Sequence, residues 1–181
     1  MRLTAIAILC AGPAFSNACP EPPDHNFALT KLIEDVRAAP TEFDGRQISG
    51  EMWKLWIDAP DQKAQELLDE GMSRRASADF DGAIKALDAL VTYCPDYAEG
   101  YNQRAFVNFL REDYEAALPD LDRAINLSPR HVAAIAGQAL TYAALGRNAE
   151  AATALRRALD LNPWLTERHM LPGLEKDAQD L

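Results

Sequence analysis

Apolar residues recur along this chain in step with the turn of a helix, and the whole pattern then returns every 34 residues. Ala83, Ala117 and Ala151 form one such series, Leu87, Leu121 and Leu155 a second, and Gly71, Ala105 and Ala139 a third. Pro95, Pro129 and Pro163 fall on the same step. A period held at several positions at once marks stacked copies of one supersecondary unit, none of which can bury its apolar face alone. Within each copy the spacing predicts two helices joined by a short turn. The units are 64–97, 98–131 and 132–165.

Local signals agree with this division. Asp79 and Asp113 stand where a side-chain oxygen can cap the second helix of the first two units. The third unit has Arg147 there, followed by Asn148, so its cap is shifted or weaker, while Gly146 supplies the turn. Each second helix closes ahead of its proline, because the residue before proline avoids the helical region. The small residues 71, 105 and 139 mark where the first helix of a pair meets the second closely, and Ala83, Ala117 and Ala151 face them. Pro119 lies inside the second helix of the middle unit, where it should delete one backbone hydrogen bond and kink the helix.

Two further amphipathic stretches precede the array. One carries Phe27, Leu29, Leu32, Ile33 and Val36 and ends at Pro40; the other carries Ile48, Met52, Trp53, Leu55 and Trp56 and ends at Pro60. Pro60 lies 35 residues before Pro95, almost on the repeat lattice. Residues 19–61 therefore read as a proline-rich lead-in and a degenerate helical hairpin that covers the apolar start of the array. Residues 166–181 read as a cap on the other end.

These positions resemble the tetratricopeptide repeat, the 34-residue helix-turn-helix unit. The resemblance covers 64–165 and implies an all-α, right-handed α-solenoid. The aromatic expected early in the first helix is Tyr101 in the middle unit, but Leu67 and Ile135 replace it in the others. Asn162-Pro163-Trp164 and the stretch 97–101 also make the chain similar to small exported repeat proteins of alphaproteobacteria. The family resemblance implies a groove lined by the first helix of each unit. It would present Leu68, Met72 and Arg75, then Asn102, Gln103, Phe106 and Phe109, then Ala136, Leu140 and Ala143. Asn102 and Gln103 can hydrogen-bond a peptide backbone, and Phe106 and Phe109 offer apolar pockets. One subclass of the family clamps a C-terminal carboxylate with basic residues. Leu68, Met72, Gln103, Ala133 and Gly137 occupy those positions here, which disfavours a chaperone-tail adaptor. The resemblance implies a non-catalytic scaffold for a protein or peptide. The alternative is a structural or assembly subunit of an envelope complex that uses its convex face, its end caps, Tyr93 and Trp164.

Composition narrows the setting. A net charge of -10 over 181 residues argues against nucleic acid and anionic membrane surfaces as electrostatic partners. Residues 1–18 read as a signal peptide: Arg2, then an apolar run, then Ser16-Asn17-Ala18 at the cleavage site. A periplasmic or secreted bacterial protein is expected. Cleavage would leave Cys19 and Cys94, an even count that fits a disulfide, with two unpaired thiols as the other reading. A mature N-terminal Cys19 is also where a lipid anchor attaches; Ala18 suits that signal, and Ser16 does not. His25, His131 and His169 share no helix face and read as solvated residues, so no metal site is expected. Asp120 and Asp122 read as a solvated face rather than a catalytic pair. Neither an enzyme nor a cofactor is expected.

Overall fold

The computed structural model describes residues 18–179; the expected signal peptide lies almost wholly outside them. The described residues form nine α-helices, which pack largely in consecutive pairs. They are α1 (Asn26–Ala38), α2 (Glu42–Trp56), α3 (Gln62–Ala76), α4 (Phe80–Tyr93), α5 (Ala98–Leu110), α6 (Tyr114–Leu127), α7 (Val132–Ala144), α8 (Asn148–Leu161) and α9 (Leu171–Gln179). A short 3-10 turn, Thr166–Met170, leads into α9.

The pairs α3–α4, α5–α6 and α7–α8 stack into an α-solenoid. Their seam is built from the recurrent small residues. Ala83, Ala117 and Ala151 have no solvent exposure, and Leu87, Leu121 and Leu155 are buried beside them. A Cβ at Gly71 would stand 2.7 Å from the Leu87 side chain, so only hydrogen fits there. Asp79 accepts a hydrogen bond from the Gly82 amide at 3.0 Å and Asp113 one from Ala116 at 3.4 Å. Arg147 makes no such cap. The turn inside each pair places Ala78, Glu112 and Gly146 in the left-handed region, at φ of 60°, 62° and 71°. Only the third of these has the residue that adopts it without steric cost. Helix α6 is continuous through Pro119, which faces solvent.

The N-terminal hairpin departs from expectation. It does not stack on α3 as a degenerate first unit. Leu29, Ile33, Val36 and Met52 instead pack with Val132, Leu161, Trp164 and Leu165 at the far end of the array. Polar ties follow the same route. Tyr97 donates to the Trp56 carbonyl at 2.7 Å, Arg130 to Thr30 Oγ1 at 2.7 Å, and Asn162 to Ser49 Oγ at 2.8 Å. Arg168 reaches Glu42 at 2.7 Å. The hairpin is thus a strap along the edge formed by the inter-unit turns. The physical reason lies in α3: Glu66, Asp69, Glu70 and Ser73 on its outer face are exposed and polar, so the first unit leaves no apolar end to cover. At the other end, α9 places Leu171 and Leu174 on Ala151 and Leu155.

Cys19 and Cys94 are joined by a disulfide across 75 residues, with their Cα atoms 5.1 Å apart. It fastens the lead-in of the strap to the end of α4.

Candidate protein-binding groove

Helices α3, α5 and α7 present their inner faces to a cleft of about 310 Å³. Arg75 enters it from α3, Asn102, Gln103, Phe106 and Phe109 from α5, and Ala133, Ala136, Gly137 and Leu140 from α7. Small residues on α7 form a floor, and the α5 aromatics form a wall. Phe106 remains 43% exposed, well above an ordinary core aromatic. The remaining wall belongs to the strap and the C-terminal segment, through Trp53, Leu165 and Glu167.

Of the groove residues expected from sequence, Arg75, Asn102, Gln103, Phe106, Phe109, Ala136 and Leu140 come together here. Leu68 does not: it has no exposure and packs with Ala64, Leu87, Leu90 and Val107. Met72 is half-buried against that cluster and lies outside the cleft. Leu68, Met72 and Arg75 share one stripe of α3, but α5 covers its N-terminal part, so only Arg75 reaches the opening.

A buried polar relay underlies the cleft. Arg75 donates to Gln103 Oε1, and Gln103 donates in turn to Glu99. Asn102 Nδ2 also donates to Glu99, at 2.9 Å. The amides that the sequence suggests for a ligand backbone therefore each already donate one N–H to Glu99. Glu99 accepts a further bond from His131 Nε2 at 2.8 Å, with both side chains almost wholly buried. His131 Nδ1 accepts from the Ala134 amide at 3.3 Å, capping α7. Because Nδ1 accepts, Nε2 carries the ring proton, which fixes the tautomer. Burial pushes the Arg75 guanidinium below its ordinary value, while the Glu99 charge pulls it back up. Burial, reinforced by Glu99, pushes the Tyr97 phenol far above its ordinary value.

His131 is thus a correction to the reading of solvated histidines. The repeat lattice carried the signal: position 131 is in step with Tyr97, which is buried, and Leu165, which is half-buried. Asp120 is a second correction. It is buried, and Arg104 holds it with two hydrogen bonds of 2.7 and 2.6 Å while also reaching Asp88 at 2.7 Å. Asp120 therefore ties α6 to α5 and α4. Among the described residues no cluster of three or more His, Cys, Asp or Glu is placed to hold a metal ion. No described helix is long and apolar enough to cross a membrane.

The sequence model of the tetratricopeptide repeat matches residues 68–129 and 109–163, together more than half of the chain. The chain belongs to the tetratricopeptide repeat family. Over 81 residues it is 35% identical to a tetratricopeptide-repeat-containing protein of Rhizobium etli, which covers 45% of this chain and 40% of the relative. Over 75 residues it is 38% identical to the tetratricopeptide repeat protein 36 homolog of Nematostella vectensis, 41% of either chain. The match thus spans about two-fifths of the length of each of these relatives. Among solved structures, the first such domain of Spaghetti, bound to an HSP90 peptide, superposes with a TM-score of 0.63. It is 23% identical and covers 65% of this chain and 94% of that one. The TPR2B domain of yeast Sti1 in its pHsp70 complex gives 0.58 at 25% identity, covering 66% and 98%. The first of these shows a shared fold alone.

Proposed function

We propose that this tetratricopeptide repeat protein is a non-catalytic scaffold that holds a peptide or a peptide-like segment of a partner in the cleft of α3, α5 and α7. The observation that carries this reading is the exposed Phe106 beside an apolar cleft that the strap borders without filling. Apolar side chains left uncovered in a concavity are what a binding anchor requires. That two structural neighbours are complexes with chaperone peptides supports the mode, while the chain's own clamp positions, Leu68, Met72, Gln103, Ala133 and Gly137, hold no basic residue.

A photo-crosslinking residue at Phe106 should capture a partner, and one at Lys85, on the exposed face of α4 and outside the cleft, should not. Equal capture at both sites would contradict the groove. A role through the convex face has less to use. Tyr93 is occupied by Asp61 at 2.6 Å and by Lys63 over its ring, and Trp164 packs on Gly45.

We further propose residence in the bacterial cell envelope. The charged-apolar-small order of 1–18 supports it, as does the Cys19–Cys94 disulfide, a bond that persists in oxidising compartments. Fractionation of producing cells, with mass spectrometry of the mature N-terminus, tests it. A cytosolic protein that retains Met1 would contradict it, and a lipidated Cys19 would change its anchoring.

A further inference from the structure

We infer, building on the groove reading above, that the occupant is an extended peptide segment with one large apolar side chain flanked by a carboxylate on one side and a basic group on the other. Two charged side chains that form no direct ion pair, in an otherwise apolar cleft, point to this. Arg75 is half-buried, lies 4.7 Å from the Phe106 ring and hydrogen-bonds only the neutral Gln103 oxygen. A guanidinium carries five N–H donors in a planar fork that matches a carboxylate. Among the described residues Arg75 has no ion pair, and neither have Arg37, Arg130 and Arg157, which bind neutral oxygens outside the cleft, whereas Arg46, Arg74, Arg104, Arg111, Arg123, Arg147, Arg156 and Arg168 each have at least one. Glu167, also half-buried, borders the same cleft and makes no hydrogen bond or ion pair among the described residues.

The two charges come from opposite ends of the stack, α3 and the segment after α8, with the apolar surfaces of Phe106, Phe109 and Leu140 contributed by the helices between. A cleft of about 310 Å³ suits one large side chain and the backbone around it, not a helix or a folded domain. The glutamine under Arg75 orients the fork, and Glu99 beneath it is already satisfied by three donors, so Arg75 keeps its outward N–H groups for a ligand.

The test uses the mature disulfide-bonded protein and a set of acetylated, amidated hexapeptides. Each has Leu or Phe near its centre and flanking positions varied among Asp, Asn, Lys and Gln. Fluorescence polarisation should show oppositely flanked peptides binding at least about tenfold more tightly than neutral ones, as expected of hydrogen bonds to charged groups. Arg75→Gln should remove the preference for Asp alone, and Glu167→Gln the preference for Lys alone. Arg75→Lys should keep part of the Asp preference, through charge without the fork, where Arg75→Gln keeps none. If neutral peptides bind equally well and Phe106→Ala abolishes their binding, the charge assignment falls and the groove remains. If no peptide binds, both fall. Sedimentation of the protein alone decides one more case: a dimer dissolved by Phe106→Asp would make the occupant a second copy of this chain and overturn the inference.

Discussion

The indole of Trp56 lies on the imidazole of His131, their centroids 4.4 Å apart and their planes 13° from parallel. One ring belongs to the strap and the other closes the second unit as the N-cap of α7. His131 therefore serves three structures at once: it seats the strap, caps α7 and supplies one of the three donors to the buried Glu99.

Replacing His131 should accordingly cost more than an ordinary surface histidine. His131→Ala removes the cap, worth about 1 kcal/mol. It also takes a donor from a buried carboxylate, worth roughly 1–3 kcal/mol. A total near 3 kcal/mol corresponds to a fall in melting temperature of roughly 6–12 °C for a domain of this size. His131→Asn restores the cap alone and should recover about a third of the loss. Thermal unfolding by circular dichroism checks both; an unchanged midpoint in the alanine variant would contradict the buried role.

The stacking of α3 to α8 is legible from the 34-residue step, because the seam inside each helix pair tolerates only small residues at Gly71, Ala105, Ala139 and the positions that face them. Most of the cleft is legible for the same reason: Arg75, Phe106, Phe109 and Leu140 follow from their place in each unit. The course of the strap is not legible. Its apolar stripe says that Leu29, Ile33 and Met52 must be buried, but not that Val132 and Trp164, eighty or more residues away, will bury them. Trp53, Leu165 and Glu167 are missed as groove residues because they join it only through that crossing. Glu99 and His131 carry polar names at inward positions, where residue type misleads and lattice position does not.

Breaking the disulfide should loosen the strap before the array. A closed loop of 75 residues contributes at most about 4 kcal/mol on the chain-entropy model. Cys19→Ser with Cys94→Ser should lower the unfolding midpoint and expose the segment before α1 to limited proteolysis, while α3 to α8 stay protected. Proteolysis that begins equally in all helices would contradict a separable strap.

Backbone strain in the turns gives a stabilising change. Ala78 holds φ of 60° where the third unit uses Gly146. Left-handed backbone costs a residue with a Cβ about 1–2 kcal/mol, partly offset by the greater freedom of unfolded glycine. Ala78→Gly should therefore stabilise by roughly 0.5–1 kcal/mol in urea titration. A loss of stability would refute the strain.

Alkaline pH should release the strap through Tyr97. Its phenol is raised in the folded state, first by burial and then by Glu99, and it donates to the Trp56 carbonyl. A raised group contributes stability that is complete below the unfolded phenol value of about 10 and is lost as pH climbs beyond it. The wild-type protein should lose stability steeply above that point. Tyr97→Phe should be weaker at neutral pH but flatter above it; parallel curves would contradict this coupling.

Selection of random dodecapeptides on the immobilised protein tests most directly whether the cleft is a recognition site. Enriched peptides should lose binding to Phe106→Asp and keep it for Lys85→Glu, outside the cleft. Peptides that bind Phe106→Asp as well as the wild type, or that are lost only with Lys85→Glu, would contradict recognition in the groove.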